Sequence, residues 1–174
     1  MKRLTTSPIP AGRWLHEAGV LAIVVTNQSG VARGMYGESD VQAVHERIQE
    51  LLAREGAAVD RFYYCPHHPK YGSPCSCRKP EPGMILTACR EFDIDPAHSA
   101  MVGDRLSDIA AGRAAGGTRL ARPEGVAGQG WACYLVKTGY GMEVLRNEDV
   151  SGIEVAEDLS DAVERFLALD GEAH

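Results

Sequence analysis

Short apolar runs alternate with helical patterns along most of the chain. Four runs are predicted to form strands: VLAIVV (20–25), RFYYC (61–65), SAMVGD (99–104) and CYLVKTG (133–139). The first run is apolar and rich in β-branched residues, which is typical of a strand that helices cover on both faces. Because predicted helices separate these strands, the pattern indicates an α/β fold with a parallel sheet and helices on both of its faces.

Capping residues mark the ends of the predicted helices. Gly19 ends a helix over 11–18, and Ser39 with Asp40 is expected to cap a second helix that ends near Gly56. Apolar side chains recur along this second helix at helical spacing: Val41, Val44, Ile48, Leu51 and Leu52. The other segments are helices over 82–92 and 107–115, a short strand and an amphipathic helix over 152–169, and irregular stretches over 1–10 and 116–130.

The composition is that of a globular protein with one core. The chain has 174 residues, of which 44% are hydrophobic and 24% charged, so we expect a single domain over 1–174. No apolar run reaches the length of about 18 residues that a membrane span needs. The start, MKRLTTSPIP, lacks the apolar stretch of a secretory signal. We therefore expect a cytoplasmic protein. We also expect a monomer.

The charge balance argues against nucleic acid as a partner. The formal net charge is -6 and only 6% of the residues are aromatic. Nucleic-acid surfaces are basic, and those for single strands carry aromatic side chains on which bases stack. Any phosphate that this protein binds is therefore expected on a small molecule, in a local basic pocket.

Polar motifs follow the predicted strands at the places where α/β sheets bind ligands. Thr26 and Asn27 come after the first strand, Arg78 and Lys79 follow the second by way of a loop, and Asp104 ends the third. Ligands of open α/β sheets lie in a crevice outside the carboxyl ends of the strands. We therefore expect these motifs, distant in sequence, to converge on one crevice.

The first two motifs have a functional and an ordinary interpretation. The hydroxyl of Thr26 and the amide of Asn27 can hold phosphate oxygens, although such a pair is also common in a plain turn. The ammonium group of Lys79 can neutralise phosphate charge, and the guanidinium of Arg78 can bind two oxygens of a phosphate or carboxylate at once. The ordinary interpretation is that such a basic pair lies on the surface in contact with water. Arg78 and Lys79 lie between a cysteine loop and a proline, which favours a role in phosphate binding over the ordinary interpretation.

Asp104 predicts a magnesium site. Mg²⁺ is usually held by one or two carboxylates together with water and substrate phosphate. Asp108 comes four residues later, one helical turn on, and can bind a metal water or orient the loop. The ordinary interpretation of Asp108 is an acidic residue at a helix N-terminus, where carboxylates are favoured.

A cysteine and histidine cluster in the loop over 65–77 predicts a zinc site. Cys65, His67, Cys75 and Cys77 form the pattern C-x-H-x7-C-x-C. Three thiolates and one imidazole make a closed tetrahedral set, which is typical of structural Zn²⁺. His68 is the alternative to His67 as the fourth ligand, and a loop of reduced cysteines is the ordinary interpretation.

Four segments, taken in order, resemble one known superfamily. They are VVTNQSGVARG (24–34), YYCPHHP (63–69), CSCRKPEPGM (75–84) and MVGDRLSDIAAG (101–112). These segments resemble the haloacid dehalogenase superfamily, and within it the heptose bisphosphate phosphatases and the histidinol-phosphate phosphatases. The resemblance covers about residues 11–115, and it places the zinc loop between the second and third of the superfamily's motifs.

The resemblance implies a Mg²⁺-dependent phosphomonoester hydrolase without a large cap domain. It implies that Thr26 hydrogen-bonds the phosphoryl group, that Lys79 stabilises its charge, and that Asp104 binds Mg²⁺. Asn27 and Arg78 match positions that contact the substrate, and the four residues of the cysteine and histidine cluster match the Zn²⁺ ligands. The implied substrate is a small phosphorylated sugar, a heptose bisphosphate, with histidinol phosphate as the alternative.

The chain departs from the superfamily in its first motif. That motif, D-x-D-G-T, ends a central strand and supplies the nucleophile and the general acid/base, but no aspartate precedes Thr26. Asp93 and Asp95 form the only D-x-D, and they precede a strand, so they are interpreted as a surface turn.

Three expectations follow from this departure. We expect a gap in the sheet between the strands that end at Thr26 and Asp104, a protein truncated before its first strand, and no phosphatase activity from the 174-residue chain alone. A non-catalytic phosphosugar-binding or scaffold protein is the alternative from another class.

Overall fold

Strands and helices alternate along the described part of the chain. The computed structural model describes residues 9–95, 98–116 and 132–171. The helices in these ranges are α1 (Ile9–Glu17), α2 (Glu38–Ala53), α3 (Gly83–Phe92), α4 (Leu106–Ala115), α5 (Gly141–Asn147) and α6 (Leu159–Gly171). The strands are β1 (Ile23–Asn27), β2 (Arg61–Cys65), β3 (Ala100–Gly103), β4 (Ala132–Val136) and β5 (Glu154–Ala156). The α/β prediction is confirmed.

The strands form two parallel sheets, and helices cover both faces. β1 pairs with β2, while β3, β4 and β5 pair in that order. Successive side chains of β4 point to opposite faces. Tyr134 and Val136 pack against Phe166 of α6, whereas Leu135 packs against Ile109 of α4. No helix within the described ranges has the length and apolar character that crossing a membrane requires.

β1 has one edge that no described strand covers. The N–H of Gln28 donates to the C=O of Cys65 at 2.8 Å and continues the ladder between β1 and β2. Because alternate residues of a strand bond to the same neighbour, residues 24 and 26 also face β2. The backbone groups of Ile23 and Val25 therefore point to the opposite edge.

β3 likewise has one edge that is unpaired within the described part of the chain. The N–H of Ala132 donates to the C=O of Ser99 at 3.1 Å, so residues 99 and 101 face β4 and the backbone groups of residues 100 and 102 point away from it. Val25 of β1 packs in the same cluster as Met101 of β3. The two open edges therefore flank one gap among the described strands, at the place where the resemblance implies that a strand is missing.

The first strand lies further along the chain than predicted. Its apolar run starts at residue 20, but the N–H of Val20 donates to the C=O of Leu15 at 2.8 Å and Gly19 has a φ of +69°. Residues 18–20 thus close α1 in the manner of a helix C-terminal motif. The strand continues instead through Thr26 and Asn27, which pair with β2.

The predicted cap of the second helix is wrong. α2 begins at Glu38 with Gly37 as its N-cap, so Ser39 and Asp40 lie inside the first turn. Asp40 accepts the N–H of Gly37 at 2.8 Å from the third helical position. It therefore serves the reciprocal half of a capping box and not the cap itself.

The chain after β4 turns earlier than predicted. β4 ends at Val136 and not at residue 139, because Gly139 adopts a φ of +60° and leads into a new helix, α5. α5 was not predicted, since seven residues are too few to show a clear helical period. The predicted connection over 116–130 lies outside the described residues, apart from Gly116.

Candidate active site and metal centre

Lys79 joins the two sheets beside the gap. Its ammonium group donates to the C=O of Val25 on the open edge of β1 at 2.6 Å. The same group pairs with Oδ1 of Asp108, in the first turn of α4, at 2.8 Å. The two side chains are 11% and 7% exposed. An almost fully buried ion pair therefore lies between the end of β1 and the start of α4.

Asn27 clamps the backbone of Lys79. Its Nδ2 donates to the C=O of Lys79 and its Oδ1 accepts the N–H of Lys79, both at 3.1 Å. These two bonds fix a loop residue against the last residue of β1. The predicted substrate contact of Asn27 stays a prediction, since the amide is engaged at both ends in this arrangement.

Replacing Asn27 with alanine is expected to lower the free energy of unfolding by about 2 kcal/mol. The change removes two hydrogen bonds and leaves two part-buried backbone groups of Lys79 without partners. Urea unfolding measures the effect. Asn147→Ala, at the exposed end of α5, is the control, and equal stability of the two variants would contradict the clamp.

The hydroxyl of Thr26 is oriented by its neighbours. It accepts a hydrogen bond from Nε2 of Gln28 at 3.4 Å, and Oε1 of Gln28 in turn accepts the hydroxyl of Tyr36 at 2.8 Å. A hydroxyl has one hydrogen to donate and two lone pairs to accept with. With a lone pair of Thr26 used by Gln28, its hydrogen can be directed to an acceptor such as a phosphate oxygen.

Asp104 and Asp108 have different surroundings after β3. Oδ2 of Asp104 accepts the N–H of Tyr140, from the turn after β4, at 2.9 Å. Oδ2 of Asp108 accepts the N–H of Arg105 at 3.1 Å, at the start of α4. Asp108 therefore serves the reciprocal half of a capping box near the N-terminus of α4, where its ordinary interpretation puts it, and it also neutralises Lys79. The sequence does not signal this pairing, because Lys79 and Asp108 meet only once the loop folds against β1.

The structure brings Thr26, Lys79 and Asp104 to the carboxyl ends of β1 and β3. Lys79 contacts both sides of the gap, and Asp104 follows β3 directly. Arg78 is turned towards the cysteine loop, where its guanidinium donates to the C=O of His67 at 3.2 Å. The roles of these residues in binding and catalysis stay predictions.

Asp104 offers chemistry that suits a hard divalent cation. Its Oδ1 has no protein donor among the described residues, and its Oδ2 is fixed by a backbone N–H. Mg²⁺ takes oxygen ligands and commonly keeps several waters. One free carboxylate oxygen at the edge of the sheet fits part of such a coordination sphere.

The cysteine and histidine cluster closes into a compact set of four donors. The ligand atoms of Cys65, His67, Cys75 and Cys77 all lie within 4.8 Å of one another. Four of the six separations run from 3.0 Å between Sγ of Cys65 and Cys77 to 3.6 Å between Sγ of Cys65 and Cys75. A tetrahedron with three zinc–sulfur bonds and one zinc–nitrogen bond has ligand atoms about 3.5 to 3.8 Å apart. The donor set therefore fits Zn²⁺.

His67, and not His68, belongs to this cluster. Nδ1 of His67 lies 3.3 Å from Sγ of Cys77 and 3.5 Å from Sγ of Cys65. Nδ1 of His68 instead accepts the N–H of Lys70 at 3.1 Å. The geometry thus favours the first of the two histidines that the sequence left open.

The three thiols of the cluster differ in acidity. Burial raises the pKa of Cys65, and burial with hydrogen bonds to Cys65 raises the pKa of Cys77 to about 12. For Cys75 burial acts in the same direction, but hydrogen bonds from the backbone of Arg78 and from the other thiols lower its pKa to about 7. A bound cation would stabilise the thiolates and so offset the burial that raises the pKa of the other two thiols.

The D-x-D at 93–95 lies away from these sites. Asp93 follows the last residue of α3 with a φ of +51°, a left-handed conformation at a helix C-terminus. Asp95 forms an exposed ion pair with His98. These positions agree with the prediction of a surface turn.

Comparison with known proteins agrees with the fold and the motifs. A family model for HAD-hydrolase-like proteins matches residues 76–129. The D-glycero-β-D-manno-heptose-1,7-bisphosphate 7-phosphatase of Pasteurella multocida is 45% identical over 111 residues, which is 62% of this chain and 60% of that protein. The enzyme of the same name from Bordetella bronchiseptica is 36% identical over 154 residues, or 88% of this chain and 77% of that protein.

Solved structures show the same likeness. A crystal structure of D,D-heptose 1,7-bisphosphate phosphatase from B. bronchiseptica, complexed with magnesium and phosphate, superposes with a TM-score of 0.76 at 35% identity, covering 92% of this chain and 81% of that one. A putative HAD-like phosphatase from Mesorhizobium loti superposes with a TM-score of 0.70 at 33% identity, covering 92% and 70%. The chain belongs to the haloacid dehalogenase superfamily, and within it is similar to the heptose bisphosphate phosphatases. It spans about 60% of the length of the Pasteurella relative.

Proposed function

We propose that this chain forms the greater part of a Mg²⁺-dependent phosphatase of a phosphorylated sugar. The observation that carries the proposal is the position of Lys79, whose ammonium group lies at the open edge of β1 and pairs with Asp108. Phosphoryl transfer is accelerated mainly by positioning and by neutralising charge. A phosphate at the carboxyl ends of β1 and β3 would meet that ammonium group and the hydroxyl of Thr26.

Each side chain has a distinct part in this proposal. Thr26 donates its hydroxyl hydrogen to a phosphoryl oxygen, and Lys79 stabilises the charge that the phosphoryl group carries. Oδ1 of Asp104 binds Mg²⁺, which supplies charge neutralisation on the phosphoryl oxygens when it is bound. Asn27 holds Lys79 in place, and Asn27 and Arg78 are proposed to lie near the sugar or its phosphate.

The nucleophile comes in this proposal from a strand that fills the gap between β1 and β3. Both edges of the gap present backbone groups that one extended parallel segment can pair with. A carboxylate at the end of such a segment would lie between Thr26 and Asp104, beside the Lys79 ammonium group. Asp104 and Asp108 are themselves held by other groups, which supports a third carboxylate as the attacking group.

We propose a heptose 1,7-bisphosphate as the substrate. The support is the activity for which the relatives from Pasteurella and Bordetella are named, and these relatives are 45% and 36% identical. Histidinol phosphate is the competing substrate, and a direct comparison of the two phosphates decides between them. We further propose a monomer with one domain, located in the cytoplasm, where a thiol-rich metal site stays reduced.

We propose that Zn²⁺ binds Cys65, His67, Cys75 and Cys77 as a structural ion. The support is the closed set of four donors, which leaves no position for a substrate. The loop between Cys65 and Lys79 has no regular structure, so the ion would fix the path by which the chain reaches the active site. Zinc would thus act on catalysis only through the placement of Lys79.

Purified protein is expected to contain about one zinc per chain, and removing it is expected to loosen the loop. Elemental analysis checks the content, and Cys75→Ser is expected to bring it below about half an equivalent because three ligands remain. Cys89→Ser, a cysteine on α3 outside the cluster, is the control. Full zinc content in Cys75→Ser would contradict the site.

Phosphate binding by the 174-residue chain tests the proposed function without the nucleophile. Titration calorimetry with inorganic phosphate and Mg²⁺ is expected to show binding that Thr26→Val weakens and Lys79→Met removes. Lys137→Met, an exposed lysine paired with Glu157, is expected to leave binding unchanged. Phosphate binding that Lys79→Met does not alter would contradict the proposal.

A further inference from the structure

The turn after β4 approaches Asp104 more closely than any residue with a side chain could. The N–H of Tyr140 donates to Oδ2 of Asp104 at 2.9 Å. A Cβ atom added to Gly139 would lie 2.2 Å from the same oxygen and 3.1 Å from Cγ of Asp104. The backbone of the turn therefore packs directly on the carboxylate.

Gly139 is required at this position for two independent reasons. Its φ of +60° lies in the left-handed region, which favours glycine. Its missing side chain also leaves the space that the carboxylate of Asp104 occupies. Any other residue would have to push the carboxylate away or lose the conformation of the turn.

Contacts with the end of β4 and with Arg105 hold the turn in place against Asp104. A Cβ atom on Gly141 would lie 1.7 Å from the C=O of Val136, so the chain doubles back tightly on the end of β4. The guanidinium of Arg105 stacks over the ring of Tyr140 at 3.6 Å. Arg105, the residue after Asp104, therefore helps to anchor the same turn whose backbone N–H binds the carboxylate of Asp104.

We infer that the turn over 138–141 is a positioning element for the metal-binding carboxylate. By holding Oδ2 of Asp104 it fixes the rotamer of the side chain, and it leaves Oδ1 without a protein donor among the described residues. Partners of metal ligands set ligand orientation, and their removal weakens metal binding about tenfold to a hundredfold. This inference rests on the proposed function, because the cation at Asp104 belongs to that proposal.

Mn²⁺ binding to the 174-residue chain tests the inference without any turnover. Mn²⁺ takes the same oxygen ligands as Mg²⁺, and electron paramagnetic resonance measures its free and bound fractions. Gly139→Ala is expected to weaken binding about tenfold. Gly152→Ala is the matched control: Gly152 has a φ of +72°, and a Cβ atom added there would meet nothing within 4 Å, so it tests backbone strain without the contact.

A second variant and a reference variant separate the possible outcomes. Gly139→Asn tolerates the left-handed conformation but still carries a Cβ atom, so it is expected to weaken Mn²⁺ binding as Gly139→Ala does. Asp104→Asn measures the Mn²⁺ binding that remains when this carboxylate is removed. If Asp104→Asn leaves binding unchanged, the cation site of the proposed function fails. If Asp104→Asn weakens binding and the Gly139 variants match Gly152→Ala, only the positioning role fails.

Discussion

Replacing Lys79 with methionine is expected to lower the free energy of unfolding by about 3 kcal/mol or more. The substitution keeps the apolar stem but leaves the carboxylate of Asp108 buried without its partner, and an unpaired buried charge is costly. The C=O of Val25 also loses its donor. Urea or guanidinium unfolding measures the loss.

A double variant shows whether this loss comes from the pair. Lys79→Met combined with Asp108→Leu removes both charges and is expected to recover most of the stability that the single variant loses. Lys137→Met is the surface control, because its partner Glu157 is 58% exposed and such pairs contribute about 0.5 kcal/mol. If Lys79→Met costs no more than Lys137→Met, the charge pair does not join the two sheets.

Filling the gap with a strand is expected to protect the open edges of β1 and β3 from amide exchange. The N–H groups of Val25 and Val102 point into the gap, whereas those of Thr26 and Met101 already face neighbouring strands. An N-terminal extension that forms an apolar strand ending in D-x-D-G-T is expected to slow exchange at the first two by about a hundredfold or more, since a central strand opens only with its domain.

A matched extension makes this prediction specific. The same segment with proline at alternate positions cannot donate to the ladder and is expected to leave exchange at Val25 and Val102 fast. Thr26 and Met101 serve as internal references in every sample. Protection of the two valines by the proline-containing segment would show that the extension covers the gap without pairing in it.

The sequence predicts the elements whose hydrophobic pattern is long and unambiguous. The strands at 61–65 and around 100–103 and the helices α3 and α4 lie within two residues of their predicted places. Two kinds of features escape prediction. Helix α5 is too short to show its period, and the start of β1 is set by a bond from Val20 back to α1.

The sequence predicts which residues form the candidate site, but it does not predict the contacts between them. Position after the predicted strands and the family resemblance point to Lys79 and Asp104. The cysteine and histidine spacing points to the metal cluster, with His68 left as the alternative to His67. The pairing of Lys79 with Asp108 and the clamp of Asn27 depend on how a loop folds against β1, over a separation of 52 residues for the clamp. Gly139 carried no signal, because its role exists only once the turn packs on Asp104.

The most direct test of the proposed function is phosphate release from heptose 1,7-bisphosphate in the presence of Mg²⁺. Three proteins are compared: the 174-residue chain, the chain preceded by a strand ending in D-x-D-G-T, and that extension changed to N-x-D-G-T. The extended chain is expected to turn over at about 1 per second or faster, with histidinol phosphate as the poorer substrate. The other two are expected to be slower by about a thousandfold or more, since they lack the nucleophile. Turnover of about 1 per second by the 174-residue chain alone would contradict the proposed nucleophile and require another carboxylate, with Asp93 or Asp95 as the D-x-D candidates.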